Sequence, residues 1–146
     1  MAEPVAGTLS LHVLTPTGAA ASAQVAGVTA PGLRGELGIL PRHVPLLAAL
    51  RPGVVEAQGA TPPIRLAVSA GYLEVGAGDV VEILVSQAAR PEDVNVEATR
   101  TEIDALEADL KLEGADLAGL GERIEYARAR LAVAATPAAA AAVRGS

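Results

Sequence analysis

The hydrophobic pattern of this 146-residue chain changes its period once, at Pro91. Before Pro91, apolar residues come in short runs between turns, and Leu9, Leu11 and Val13 alternate with polar neighbours as in a half-buried strand. After Pro91, apolar residues recur every three or four positions, which is the spacing of one helix face. The sequence therefore predicts a β domain over residues 1–90 and a helical unit over residues 91–135.

The first ninety residues have the turn spacing of an all-β sandwich or barrel. After the first strand, short apolar runs occupy residues 24–30, 35–40, 46–50, 54–58, 64–69, 72–75 and 80–85. Clusters of Pro, Gly, Thr and Asp separate these runs at intervals of about 8–12 residues. The chain has ten prolines, which makes long helices in this half unfavourable.

The second part predicts an antiparallel helical hairpin. Two apolar stripes carry the helical spacing: Val96, Thr99, Ile103, Leu106 and Leu110, then Leu117, Leu120, Ile124, Ala127 and Leu131. Gly114 interrupts the pattern and Asp116 is placed to cap the second helix, whose start is weakened by Gly119 and Gly121 at about 1 kcal/mol each. Residues 136–146 are Ala-rich and are predicted to form a loosely ordered tail.

Composition excludes several classes of function. The net charge of −6 and an aromatic content of 1% argue against nucleic-acid binding, which needs clustered cations or stacking platforms. The chain has no cysteine, and no histidine accompanies the acidic residues of the first helix, so we predict no metal site. No apolar run approaches the ~20 residues of a membrane span, so we expect a soluble chain without direct bilayer insertion.

Charge is divided unevenly between the segments. Residues 1–90 carry five Arg and six acids, residues 91–116 carry two basic and nine acidic residues, and residues 117–146 carry four Arg and two acids. The two helices therefore have opposite net charge, which favours their pairing by a modest, salt-sensitive amount.

No set of residues predicts catalysis. His12 lies on the polar phase of its strand, and His43 lies between two prolines with no acid tied to it by a motif. The serines lack a nucleophile-elbow context, and the glycines at 32, 35 and 38 are not followed by Gly-Lys-Ser/Thr. A rigid Pro-x-His-x-Pro corner with Glu36, Arg42 and His43 instead predicts a surface that contacts another molecule.

One block of the chain resembles a known family. After Ala30 the sequence reads Pro-Gly-x-x-Gly-Glu-Leu-Gly-Ile-Leu-Pro-x-His-x-Pro-Leu, which is similar to the signature of the epsilon subunit of F-type ATP synthases. Further similar segments occur in the same order at residues 11–16, 69–75, 81–85, 90–94 and 129–134. The resemblance covers nearly the whole chain.

The resemblance implies a sandwich of about ten strands followed by a helical hairpin, in a rotor subunit of the central stalk with no active site or cofactor of its own. It implies that the sandwich binds the gamma subunit on one side and the c-ring at its lower end, with Glu36, Arg42 and His43 in the lower loops that face the c-ring. It implies that the hairpin extends to the catalytic alpha/beta head and inhibits ATP hydrolysis, with Arg123, Arg128 and Arg130 on the inhibitory helix. The expected location is peripheral, on the cytoplasmic face of a bacterial plasma membrane.

Some members of this family bind ATP through an Ile/Leu-Asp-x-x-Arg-Ala motif and arginines of the second helix. The matching segment here has Asn95, Ala98 and Thr99 at the motif positions, and Glu125 and Tyr126 stand at the second-helix positions. A phosphate would lack its cationic partners in both places. We therefore predict weak or no ATP binding.

Two other functions stay open at this point. An ATP-responsive binding module would need the missing arginines, and nucleotide calorimetry tests for it. A small hydrolase on a β-sandwich would need a Ser/His/Asp or metal set that the sequence does not assemble. The hairpin likewise has three interpretations: a cap on the sandwich, a coiled-coil adaptor, or a mobile arm.

Overall fold

The computed structural model describes residues 7–135, and the predicted tail at 136–146 lies outside this range. The strands are β1 (Leu9–Thr15), β2 (Gly18–Val25), β3 (Gly27–Gly32), β4 (Gly35–Ile39), β5 (Leu46–Leu50), β6 (Gly53–Gln58), β7 (Ile64–Val68), β8 (Gly71–Gly76), β9 (Val80–Val85) and β10 (Ala88–Ala89). A 3₁₀ turn (Pro91–Asp93) leads to helices α1 (Val96–Asp109) and α2 (Leu117–Ala135). The predicted order of a β-sandwich followed by two helices is confirmed.

The ten strands form one sheet that folds over itself. One layer has the order β5-β8-β9-β1-β2, and the other has the order β10-β7-β6-β3 with β4 on β3. Strand β3 pairs with both β5 and β6, which are separated only by Arg51 and Pro52, so the chain passes from one layer to the other there. At this crossing, a Cβ on Gly53 would come 2.7 Å from Cβ of Pro31, so only glycine fits.

The space between the layers is filled by aliphatic side chains from alternating strand positions. Leu9, Leu11 and Val13 of β1 are fully buried, as their alternation predicted, and Leu73 and Ile83 meet them from β8 and β9. Burial of these side chains contributes about 1.5–3 kcal/mol each. This core is contiguous across both layers.

The predicted strand over residues 24–30 is wrong as a single element. The chain turns at Ala26, so that β2 ends at Val25 and β3 begins at Gly27. Strand β2 was not predicted, because its sequence is mainly Ala, Gly and Ser, which have low β-propensity. It forms because it pairs with β1. The two-residue β10 is similarly defined only by its pairing with β7.

The two helices pack antiparallel on each other, and α2 rests on the sandwich, against β6 and β7. Thr99, Ile103 and Leu106 of α1 are buried, and Ile124 and Ala127 of α2 are buried, as their spacing predicted. Leu117 is 64% exposed, so the predicted second stripe starts too early. Asp116 accepts a hydrogen bond from the amide of Gly119 at 3.1 Å, which confirms it as the capping residue.

Candidate protein-interaction site

The corner that follows β4 is a short, hydrogen-bonded turn. The amide of His43 donates to the carbonyl of Leu40 at 3.1 Å, and Nδ1 of His43 donates to the carbonyl of Val44 at 2.7 Å. Arg42 has a φ of 66°, which is a costly conformation for a residue other than glycine. We call Leu40, Arg42, His43 and Val44 the corner surface; Leu40 and Val44 are 67% and 69% exposed.

Asp79, from the turn between β8 and β9, holds this corner in place. Its carboxylate accepts a hydrogen bond from the amide of Arg42 at 2.6 Å, and its carbonyl accepts one from the amide of Ser10 at 2.8 Å. Asp79 itself has a φ of 59°. From the sequence, Asp79 was recognisable only as a turn residue. Its contact with Arg42, 37 positions away in the chain, has no local sequence signal. The corner, the β8–β9 turn and the start of β1 are thereby joined at one end of the sandwich.

Glu36 does not lie with the corner surface. It pairs with Pro31 near the tip of the β3–β4 hairpin, whereas Arg42 and His43 follow the opposite end of β4. We call Leu33 and Glu36 the hairpin tip; Leu33 is 65% exposed there. The three predicted interface residues therefore form two separate surfaces, with Arg42 and His43 together on one and Glu36 on the other.

The outer side of the layer containing β5, β8, β9 and β1 carries exposed apolar side chains. Tyr72 is paired with Ala49 on one side and Leu84 on the other, and Leu84 is paired with Leu14. Leu47, Tyr72 and Leu84 are 68%, 57% and 50% exposed. We call Leu14, Leu47, Tyr72 and Leu84 the open face. Clustered exposed apolar side chains of this kind mark contact surfaces.

Sequence reasoning missed the open face. A signal was present, because these residues are apolar at positions where the alternation of their strands calls for a polar side chain. The signal was weak, because the register of four strands decides which of these residues become neighbours in the sheet.

The contact between α2 and the sandwich is small. Its buried members are Ala67 of β7 with Ala129 and Val133 of α2, and Val54, Ala89 and Tyr126 pack around them. One ion pair adds to it, between Arg51 and Glu125 at 3.0 Å, with both side chains partly exposed. Mostly small side chains meet here, so this contact buries far less apolar surface than the core of the sandwich.

The three arginines predicted for the inhibitory helix have different surroundings. Arg130 pairs with Glu102 of α1 at 2.7 Å and lies 4.8 Å from the ring centre of Tyr126. Arg128 pairs with Glu107 at 3.7 Å. Arg123 forms no ion pair or hydrogen bond within residues 7–135 and lines a polar cavity between the helices and the sandwich. The opposite charges of the two helices are therefore joined in two ion pairs, as their composition predicted.

The residues at the positions of the family's ATP-binding motif have structural roles in the helices. Asn95 caps α1, and its side-chain oxygen accepts a hydrogen bond from the amide of Ala98 at 2.9 Å. Glu125 forms an ion pair with Arg51, and the side chain of Tyr126 is half-buried where α2 packs against the sandwich. Burial raises the pKa of Tyr126; the nearby Arg130 guanidinium opposes this rise and the Glu102 carboxylate adds to it.

The other candidates have ordinary surroundings in the described part of the chain. His12 shares a hydrogen bond of 3.0 Å with the hydroxyl of Ser22 across the β1–β2 pair. Among residues 7–135 there is no cluster of three His, Cys, Asp or Glu side chains suited to a metal ion. Neither described helix is both long enough and apolar enough to cross a membrane.

Comparison with known proteins agrees with this architecture. Residues 8–91 match the family model described as ATP synthase, Delta/Epsilon chain, beta-sandwich domain. The ATP synthase epsilon chain of Moorella thermoacetica is 38% identical over 130 residues, covering 87% of this chain and 96% of that protein. The ATP synthase epsilon chain of Halalkalibacterium halodurans is 37% identical over 126 residues, covering 86% and 90%.

Solved structures show the same fold at low sequence identity. A chain in the Euglena gracilis mitochondrial ATP synthase structure (OSCP/F1/c-ring) aligns with a TM-score of 0.70 at 19% identity, covering 84% of this chain and 78% of that one. A chain in the Tetrahymena thermophila mitochondrial ATP synthase central stalk/c-ring structure aligns with a TM-score of 0.53 at 15% identity, covering 86% and 92%. Together with the family model and the two relatives, the fold shows that this chain belongs to the family of ATP synthase epsilon chains.

Proposed function

We propose that this chain is a non-catalytic rotor subunit of the central stalk, which links the gamma subunit to the c-ring and restrains ATP hydrolysis through its helical hairpin. The observation that carries this proposal is the division of the molecule. A rigid sandwich presents three exposed contact surfaces, and a hairpin is attached to it by a small interface. The sandwich is suited to permanent binding of partner subunits, and the hairpin is suited to reversible release from the sandwich.

The open face is the surface that we assign to gamma. It is apolar and built on paired strands, so it can bury side chains against a partner without reorganising. The corner surface adjoins it, because Leu47 lies one residue into β5, just past the corner. We therefore assign Arg42 and His43 to the gamma side of the interface and Glu36, on the separate hairpin tip, to the polar loops of the c-ring.

Cross-linking tests this assignment directly. The chain has no cysteine, so His43→Cys and Glu36→Cys each introduce a unique attachment point. In the assembled enzyme, a short photoactivated cross-linker should join the first variant to gamma and the second to a c subunit. Lys111→Cys, in the link between α1 and α2, is the control and should give neither cross-link. Cross-links from both variants to one partner, or from neither to gamma or c, would contradict the assignment.

The interface is proposed to couple subunits and to take no part in the chemical step. Glu36→Lys and His43→Ala should weaken attachment of the head to the membrane sector or reduce proton-driven ATP synthesis. ATP hydrolysis by the isolated catalytic head should continue in both variants. A collapse of hydrolysis in the isolated head would refute a purely mechanical role.

The hairpin is proposed to act as a brake when it leaves the sandwich and reaches the alpha/beta head. Truncation after Glu113 removes α2 and should raise ATP hydrolysis by the assembled enzyme while rotor assembly is retained. Equal hydrolysis rates with and without α2 under all nucleotide conditions would identify the hairpin as a structural cap instead.

The three arginines should differ in this role. Arg123 has no described partner in the docked hairpin, so Arg123→Ala should weaken only contacts with an acidic surface of the head. Arg128 and Arg130 are paired with acids of α1, so Arg128→Ala and Arg130→Ala should also loosen the helix pair. High salt should mimic Arg123→Ala if its contacts are solvent-exposed.

We infer that ATP does not regulate this chain with high affinity. Asn95 and Ala98 provide a helix cap in place of charged motif residues, and Glu125 is held by Arg51. Calorimetric titration of the purified chain with ATP should give weak or undetectable binding. Asn95→Asp with Ala98→Arg should strengthen it only when Glu125 or Tyr126 is also made basic. Low-micromolar affinity in the unchanged chain would favour the ATP-responsive module.

The proposed location follows from the proposed partners. A chain that binds the c-ring through the hairpin tip lies at the membrane surface without entering the bilayer. We therefore propose a peripheral position on the cytoplasmic face of a bacterial plasma membrane. Salt washing of membranes should release the chain together with gamma and the catalytic head.

A further inference from the structure

Two glutamates lie side by side next to the apolar side chains of the open face. Glu74 of β8 pairs directly with Glu82 of β9. Tyr72 and Leu84, which pair with each other, lie two positions away on the same strands, so all four side chains are on the same outer side of the sheet. Glu74 is exposed and Glu82 is partly exposed. We call Glu74 and Glu82 the acidic pair.

No Lys or Arg in the strands of the same layer balances the acidic pair. Strands β1, β2, β5, β8 and β9 contain neither residue, and the acidic pair forms no ion pair within residues 7–135. His12 is the neighbour of Glu82 in β1, but its Nδ1 shares a hydrogen bond with the hydroxyl of Ser22. Like charges directly opposite each other on paired strands destabilise a sheet. A cation supplied by a partner would relieve this unfavourable contact.

We propose that the surface of gamma that covers the open face carries Lys or Arg side chains that contact the acidic pair, beside apolar side chains that contact Tyr72 and Leu84. This proposal rests on the proposed function, in which the open face binds gamma. A purely apolar partner would bury two carboxylates without hydrogen-bond donors, which is unfavourable, whereas Lys or Arg would form charge-assisted hydrogen bonds with them. Directly opposed residues have Cβ atoms about 5 Å apart, so one guanidinium group can bind both carboxylates.

Charge also argues against a second copy of this chain as the occupant. A symmetric dimer centred on this face would bring four carboxylates together, and the five strands of the layer supply no Lys or Arg to separate them. Like charges that meet in an interface disfavour a wrong partner. Sedimentation of the free chain should therefore show a monomer. A dimer that Leu84→Asp dissociates would assign this face to a second copy and overturn the proposal.

Binding of the full chain to the complex of gamma with the catalytic head, measured at several salt concentrations, tests the proposal. Glu74→Gln with Glu82→Gln should raise the dissociation constant about tenfold at low salt and make it less dependent on salt, because charge-assisted contacts are lost. The control Glu92→Gln with Asp93→Asn removes two exposed neighbouring acids of the 3₁₀ turn and changes the net charge equally. It should bind like the unchanged chain at every salt concentration.

Tyr72→Ala with Leu84→Ala distinguishes failure of this proposal from failure of the gamma assignment. This variant should weaken binding about tenfold or more at every salt concentration, because apolar contacts are not screened by salt. If it does so while Glu74→Gln with Glu82→Gln binds like the unchanged chain, the open face binds gamma without a cation at the acidic pair, and the proposal is overturned. If neither variant weakens binding, the assignment of the open face to gamma fails, and the proposal fails with it.

Unfolding of the free chain shows whether weaker binding comes from a less stable fold. Glu74→Gln with Glu82→Gln should unfold at the same temperature as the unchanged chain or at a higher one, because it removes a repulsion between like charges. Weaker binding combined with a lower unfolding temperature would identify the acidic pair as a structural feature of the sheet and would overturn the proposal.

Discussion

The sandwich and the helical hairpin are stabilised on different scales. The sandwich has a contiguous core to which both layers contribute, with Leu9, Leu73 and Ile83 fully buried. The hairpin is joined to it by three buried residues, two of them alanines, and one exposed ion pair. The proposed function requires a difference of this kind, because a fixed sandwich must stay folded while a detachable hairpin leaves it. Five measurements test whether the two parts differ in stability as their contacts predict.

The largest effect should come from the sandwich core. Leu73→Ala should lower the free energy of unfolding by about 2–5 kcal/mol, because Leu73 is fully buried and its removal leaves a cavity. Leu84→Ala on the adjacent strand is the control: Leu84 is 50% exposed, and its replacement should cost less than about 1 kcal/mol. Chemical denaturation measures both. Similar losses in the two variants would mean that the core is not the main source of stability.

Removal of the whole hairpin should lower the free energy of unfolding by less than Leu73→Ala does, if that substitution costs about 5 kcal/mol, the upper limit of about 2–5 kcal/mol expected for it. A chain ending at Arg90 keeps every strand and the contact from Arg90 to Ala20. It loses the cover over Val54, Ala67 and Ala89 and the ion pair between Arg51 and Glu125. We expect cooperative unfolding with a free energy lowered by roughly 2 kcal/mol or less, since about 0.8 kcal/mol is at stake per buried methylene. Aggregation or non-cooperative melting would show that the helices belong to the required core.

Thiol labelling can measure hairpin docking by itself. Ala67→Cys places the only thiol beneath α2, and Ala57→Cys places it inside the sandwich. The first should react faster, because its cover opens without global unfolding. Adding Val133→Ala should raise the rate at position 67 by about tenfold, since two methyl groups worth ~0.8 kcal/mol each leave the interface. The rate at position 57 should not change; an equal rise at both positions would mean that sandwich and hairpin open together.

The ion pair between Arg51 and Glu125 should contribute less. Both side chains are partly exposed, so Arg51→Ala should weaken docking by about 0.2–1 kcal/mol. Labelling of Ala67→Cys should accordingly rise by a factor of about five at most, and added salt should reduce this difference from the unchanged chain. Arg34→Ala, between β3 and β4, is the matched control and should leave the labelling rate unchanged. A much larger change on replacing Arg51 would assign it a role beyond this pair.

The smallest effect should appear at alkaline pH. Burial raises the pKa of Tyr126 above its ordinary value of about 10, so the docked state holds this proton more tightly than the undocked state. Docking is therefore unaffected below about pH 10 and weakens as the pH rises through the pKa of the docked state. In a Tyr72→Phe variant, Tyr126 is the sole tyrosine, and its absorbance titration should be shifted upward relative to the same chain in denaturant. Coincident titrations would contradict this.

Local physical chemistry made several parts of the molecule predictable from sequence. The alternation in β1, the change from strands to helices after β10 and the cap at Asp116 are each set by residues close together in the chain. The corner was also recognisable, because two prolines restrict its backbone wherever it lies. The composition without phenylalanine or tryptophan made an aliphatic core the only possible one.

Tertiary structure decided those features that depend on contacts between residues far apart in the sequence. It formed β2 from a sequence of low strand propensity and separated Glu36 from Arg42 along β4. It brought Asp79 to the corner, and it gave α2 a second apolar face through Ala129 and Val133. None of these has a local signal, because each depends on strand register or on which side chains meet across layers. Sequence periodicity determined the described elements other than β2 and β10, and packing decided which surfaces remain exposed.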